Sequence, residues 1–218
     1  MNEPHSHDGR VSRATSQRMS QYLRCIGAAA RAGGTVSSSE LSELVGVSAA
    51  QVRRDLAALG HLGQRGVGYD AAAMAAAIRR TLGIDRVWKV VVAGAGNLAR
   101  ALLRYRGFAD QGFQIVGLFD VDPAIVGTMI ENIRVHNMED LSEVVANLGA
   151  ELGVVTVPSG AAQAVADRMA AAGLKGVMNF APVLLRLPQG VRSVTVDLAS
   201  QLEQLAFAVH FGAGAERP

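Results

Sequence analysis

The chain has 218 residues, half of them hydrophobic, with one cysteine and a formal net charge of +2. That length suits a module of about 80 residues followed by one of about 130, and the longest apolar run, Ala71–Ile78, is too short to span a bilayer. A lone Cys25 excludes an intrachain disulfide, and residues 1–17 lack the apolar stretch of a signal peptide, so a cytoplasmic location with no membrane partner is expected.

Charge divides the chain. Residues 1–80 carry ten Arg against six acids, a net +4, and residues 81–218 carry eleven Lys and Arg against thirteen acids, a net −2. A DNA contact at one end and a small-molecule site at the other would produce this asymmetry.

Residues 1–15 read as a disordered tail. Met19, Tyr22, Leu23, Ile26 and Ala30 then recur at helical spacing until Gly33-Gly34, which predicts a helix from about Ser16 to Arg31. Cys25 lies beside that stripe and reads as a small buried thiol. Ser37 with Glu40, and Ser48 with Gln51, form two capping boxes on either side of Gly46. With Leu41, Leu44, Val47, Val52, Leu56 and Leu59 as apolar faces, they make a helix-turn-helix pattern.

The second helix begins on small residues that allow close approach to a major groove. It would bring Ser48, Gln51, Arg53 and Arg54 to DNA, its arginines serving phosphates or guanine edges. An ordinary amphipathic hairpin is the alternative for that pair alone. Three glycines around Arg65 in His61–Tyr69 favour a β-hairpin wing with Arg65 reaching a minor groove. Ala71–Leu82 reads as a connecting helix, and the winged-helix domain is set at residues 16–84.

Trp88–Val92 is a β-branched run leading into Gly94-Ala95-Gly96-Asn97-Leu98-Ala99, a G-x-G-x-x-A turn that opens a helix. Gly94 allows the sharp turn, Gly96 lets backbone approach a pyrophosphate, and Ala99 permits close helix–strand packing. The next strand ends at Asp120, placed to accept hydrogen bonds from ribose hydroxyls, which favours NAD over NADP. Further strands are expected at Ile133–Val135, Leu152–Val157, Gly176–Asn179 and Ser193–Val196, giving a doubly wound parallel sheet. Val157 and Pro158, with Asn179, Phe180 and Pro182, stand at strand ends where a nicotinamide pocket would form; ordinary turns are the alternative.

A Rossmann-type NAD(H)-binding domain is therefore expected over residues 85–197, and a dimerisation helix with its tail over residues 198–218. Leu198, Leu202, Leu205 and Val209 share one stripe of that helix, flanked by Phe207 and Phe211. A partner protomer is the economical cover for so broad an apolar surface, packing on its own domain the alternative.

Several segments together resemble the Rex family of redox-sensing transcriptional repressors. They are Gln21–Arg24, Val52–Leu56, Arg65–Tyr69, Gly94–Leu98, Phe119–Pro123, Ala162–Asp167, Ala172–Pro182 and Val196–Leu198. The resemblance implies a homodimer on two-fold double-stranded operator DNA, with the C-terminal helix exchanged between protomers. NADH would close the dimer and release the operator, NAD+ competing weakly, so that genes of respiration and fermentation are repressed when NADH is scarce. It also implies that Arg24, Tyr105 and Asp197 exchange polar contacts during the switch. Ala99 replaces the commoner glycine, and Leu59 and Leu62 stand where the family often has aromatics.

A dehydrogenase is the rival reading, but His136 is the one histidine placed for acid–base work, no Tyr-x-x-x-Lys pair occurs, and no residues remain for a substrate domain. No catalytic residue and no metal site are expected. A regulator binding coenzyme A or another adenine nucleotide stays open, with Asp120 against it.

Overall fold

Side-chain caps set the helix starts in the N-terminal unit. The computed structural model describes residues 11–60, 63–64 and 68–212. Two compact units divide the chain, Met1–Arg86 and Val87–Pro218.

In the first unit, α1 (Arg13–Arg31) starts three residues earlier than the apolar stripe predicts, because the Ser12 hydroxyl accepts from the Thr15 amide and caps it there. Arg13–Thr15 are thus helical, which corrects the expected end of the tail at residue 15. The strand β1 (Thr35–Val36) precedes α2 (Ser38–Val45), whose start carries the full capping box of Ser37 and Glu40 and whose end is Gly46 at φ 74°. Next come α3 (Ala49–Ala57), β2 (Gly63–Gln64), β3 (Gly68–Asp70) and α4 (Ala71–Leu82), the last capped by Asp70 and stopped by Gly83. The strands pair antiparallel in the order β1-β3-β2. Two helices after α1, a hairpin and a closing helix make a winged helix-turn-helix. His61, Leu62 and the wing residues Arg65–Val67 lie outside the described residues.

The second capping box expected in α3 is only half made. The Ser48 hydroxyl accepts from the Gln51 amide, but the Gln51 side chain turns to Asp55 and Arg54 instead of reaching back. The reason is charge. Asp55 is 4% exposed, and an ionised carboxylate in that setting draws every available donor. Arg18 donates to both its oxygens, Nε at 2.6 Å and Nη2 at 2.7 Å, Tyr22 Oη donates at 2.9 Å and Gln51 Nε2 at 2.8 Å. Burial alone would raise the carboxyl's pKa; the bonds from Arg18, Tyr22 and Gln51 outweigh it and hold it below the ordinary value. Burial and the bond to Asp55 push Tyr22 up to about 12, so it stays a donor. Around this polar centre pack Met19, Ile26, Leu41, Val52, Leu56 and Met74.

In the second unit, β4 (Trp88–Ala93), α5 (Asn97–Arg104), the single turn α6 (Gly107–Asp110) and β5 (Phe113–Asp120) follow in sequence. A hairpin of β6 (Met129–Ile130) and β7 (Ile133–Asn137) comes next, then α7 (Leu141–Leu148) and β8 (Leu152–Val155). The chain continues through α8 (Ser159–Ala171), β9 (Gly176–Asn179), β10 (Arg192–Thr195) and α9 (Leu198–Gly212). The sheet order is β10-β9-β8-β4-β5-β7-β6, parallel except for β6 against β7. Without β6 this is the doubly wound order that reverses direction between β4 and β8.

Its two faces are covered unequally. α7 and α8 bury Val91, Phe119, Val155 and Val177 on one side. On the other, α5 covers Val90, Val92 and Leu118, and an apolar cavity of about 310 Å3 runs on past it, lined by Ile115, Leu152, Val154, Met178 and Val194. The apolar residues of α9 (Leu198, Leu202, Leu205, Phe207, Val209 and Phe211) are each at least 59% exposed, so the helix does not pack on its own unit. Among the described residues no helix is long and apolar enough to cross a membrane.

Substituting Asp55 by Asn strands the Arg18 guanidinium and is expected to cost about 3 kcal/mol in denaturant unfolding. Because the folded pKa is depressed, the contribution of Asp55 is complete above the unfolded value of about 3.9 and lost as pH falls through the folded one. The gap between wild type and Asp55→Asn should hold from pH 7 to about 5 and close below about 4.

Candidate functional site

The strand order reverses at the carboxyl ends of β4 and β8, the place where a doubly wound sheet receives its ligand. Gly94 leaves β4 at φ 95°, and its amide donates to the Phe119 carbonyl at 2.8 Å. A Cβ there would lie 2.9 Å from the Thr156 carbonyl oxygen, so the position admits only glycine. The Thr156 hydroxyl lies 2.9 Å from both the Ala93 and Gly94 carbonyls and fastens the turn to the end of β8.

Asp120, at the end of β5, fixes the turn from the other side. One carboxylate oxygen accepts from Ala95 N at 2.7 Å, and the other from the amides of Val121 and Asp122 at 2.7 and 3.0 Å. The oxygen serving Ala95 keeps a lone pair for a hydroxyl donor. Gly96 precedes α5 with no side-chain cap, and nothing lies within 4 Å of where its Cβ would be. Gly96 and Asn97 are exposed, so α5 starts on an unencumbered backbone whose first amides have no helical partner, the setting a pyrophosphate requires. Ala99 is fully buried, consistent with a close-packing role.

Farther along the strand ends, β8 stops at Val155, two residues short of its expected end, as Thr156 turns to hold Gly94. Val157 is half-buried and Pro158 exposed. Phe180 is half-buried on the α5 side of the sheet, and Pro182 is exposed. Asn179 sits differently from the sequence expectation. Fully buried, it donates to the carbonyls of Ala181 and Val183 and accepts from Ala181 N, so its amide holds the turn that carries Phe180. From Asp120 to Phe180 the strand ends span three strand spacings, about 14 Å.

In the first unit Ser48 caps α3, and Arg53 and Arg54 are exposed along it. Arg53 Nη1 donates to Ser38 Oγ at 3.2 Å and Arg54 Nη2 to Gln51 Oε1 at 2.7 Å. Arg24 is exposed on α1. In the other unit Tyr105 is 60% exposed, edge-on to Phe108, and Asp197 caps α9 by accepting from Ser200 N.

Sequence reasoning missed Thr156 and Asp55. Thr156 carried a faint signal, a hydroxyl residue ending an apolar strand just before Val-Pro. Asp55 carried another, an acid four residues after Gln51, the spacing of neighbours on one helix face.

Comparisons with known proteins agree with this geometry. Residues 10–57 match the family model described as putative DNA-binding protein N-terminus, and residues 85–183 that of the CoA binding domain. The redox-sensing transcriptional repressor Rex of Streptomyces griseus is 44% identical over 198 residues, 90% of this chain and 78% of that protein. The chain belongs to the Rex family. The resemblance read from its sequence is borne out, as is the winged-helix and Rossmann architecture. Among solved structures, RSP in complex with β-NAD+ and operator DNA matches with a TM-score of 0.86 and 32% identity over 93% of this chain and 94% of that one. RSP in complex with β-NADH matches with a TM-score of 0.82 and 30% identity over 94% and 96%.

The two glycines of this Rex-family chain should behave oppositely when given a methyl group. Gly94→Ala, strained in φ and against the Thr156 carbonyl, is expected to lose about 2–4 kcal/mol of stability. Gly96→Ala, at φ −73° in open space, should stay within about 0.5 kcal/mol of wild type in the same thermal unfolding assay.

Proposed function

We propose that this chain is a transcriptional repressor whose hold on operator DNA is set by the NADH/NAD+ balance, through a dinucleotide held between Asp120 and Phe180. The observation that carries the reading is the glycine turn, pinned by Asp120 and Thr156 and open at Gly96, on the same chain as a winged helix with exposed arginines along α3. The RSP complexes with NAD+, NADH and operator DNA support it.

In this reading Asp120 receives the adenosine ribose hydroxyls. The backbone from Gly94 to Ala99, with the amides of Asn97 and Leu98, takes the pyrophosphate. Val157, Pro158, Phe180 and Pro182 flank the nicotinamide, and Asn179 acts through the turn it holds. Reduced nicotinamide is neutral and the oxidised ring is charged, so an apolar wall around Phe180 favours the reduced form. Ser48, Arg53, Arg54 and Arg65 meet DNA, and Arg24, Tyr105 and Asp197 are assigned to the switch. A ligand shifts an equilibrium only by its differential affinity for the two states. The closed NADH state is assigned a spacing between recognition helices unlike the 34–36 Å or so of one DNA turn. Genes of respiration and fermentation would then be derepressed when NADH is plentiful.

The dimer is the cover for α9, laid across the open apolar face of the sheet by exchange between protomers. We assign the protein to the cytoplasm and give it no catalytic role. His136 lies on β7, two strands from the switch point, its ring 5.5 Å from Phe119, and burial and then Arg134 lower its pKa.

Operator binding titrated at fixed salt across NADH:NAD+ ratios should fall about 5–150-fold at high NADH. Gly96→Ala should bind operator and ignore NADH; unchanged operator affinity in wild type despite tight NADH binding would refute the coupling. Excess coenzyme A should fail to displace NADH in a fluorescence titration. Leu205→Asp with Phe207→Asp should convert a species of twice the chain mass into one of the chain mass in sedimentation.

A further inference from the structure

The side chain of Gln51 sits between two groups of fixed polarity. On its inner side is the Asp55 carboxylate, which only accepts; on its outer side is the Arg54 guanidinium, which only donates. Its amide therefore has one orientation, Nε2 to Asp55 at 2.8 Å and Oε1 to Arg54 at 2.7 Å. Asp55 is immovable in turn, because Arg18 and Tyr22 occupy its remaining positions from α1.

Reading an adenine edge requires a glutamine to present a donor and an acceptor together. Here both ends of Gln51 are engaged within the protein. Arg54 has given one N–H to Gln51 and retains four, enough for the paired acceptors of guanine. It is exposed, and its guanidinium is steered by the bond to Gln51. Arg53, by contrast, leans on Ser38 at the start of α2.

We propose that Gln51 is a positioning residue that transmits the polarity of buried Asp55 to Arg54, so that α3 reads a guanine through Arg54 and reads no base through Gln51. This rests on the repressor reading above. It assigns the core polar cluster a task besides stability, aiming one base-reading arginine.

The test uses the full chain. The preferred operator is selected from a randomised duplex pool with wild type, and every base pair of it is then substituted in turn. Affinities at fixed salt are measured for wild type, Arg54→Ala and Gln51→Ala, with NADH affinity and thermal midpoint as controls for folding. Gln51→Ala leaves the Arg18 and Tyr22 donors on Asp55, so NADH affinity should match wild type and the thermal midpoint should fall by only a few degrees. Arg54→Ala should erase a discrimination of about 5–150-fold at one G·C pair, and Gln51→Ala should weaken discrimination at that same pair at least about fivefold. Loss of selectivity at a different, A·T pair in Gln51→Ala, with the G·C pair still discriminated, would overturn the proposal; so would unchanged selectivity everywhere. A wild-type chain that enriches no sequence from the pool would instead sink the repressor reading, and this inference with it.

Discussion

An ionised carboxylate inside an apolar unit survives only when its lone pairs meet donors, because the interior offers no water to replace them. Asp55 meets four. Those donors come from α1 and α3, segments 33 to 37 residues apart in the chain, so the carboxylate fixes how the first helix crosses the third. The apolar residues around it supply most of the driving force but little direction, since hydrophobic contact is indifferent to small rotations. Direction comes from the fork of Arg18 and the hydroxyl of Tyr22. In the second unit Asp120 does a comparable job with backbone donors, tying the turn at Ala95 to the end of a strand 25 residues onward.

What could be read from the sequence was what neighbours in the chain decide. The capping box of Ser37 and Glu40, the stops at Gly46 and Gly83, the helix over Ala71–Leu82 and the glycine turn at Gly94 each depend on a few consecutive residues, and each appears as expected. The misses share an opposite cause. The Ser48–Gln51 box failed because Asp55, itself anchored by residues far upstream, offers Gln51 a stronger acceptor than capping does. At Asn179, likewise, the backbone of the following turn engages the side-chain amide.

Two-residue strands such as β1 and β6 have no periodicity to detect. The hairpin joining β6 to β7 also puts Glu131 and Asn132 at φ 49° and 66°, an arrangement for which glycine is the usual signal. Glu131 is held there by Arg104, its carboxylate 2.7 Å from the guanidinium, across 27 residues of sequence.

The helix α9 carries hydrocarbon on more than one side. Leu198, Leu202, Leu205 and Val209 follow one stripe, while the rings of Phe207 and Phe211 meet on another, tilted by 43° with centroids 4.6 Å apart. A helix apolar over so much of its circumference needs enclosure from two directions, as a wedge does, where a clasp needs only one. Until such enclosure is found, the hydrocarbon faces water and adheres to whatever apolar surface it meets. A freshly synthesised chain therefore carries this adhesive segment uncovered from the moment α9 is made, and its solubility depends on how soon another surface closes over it.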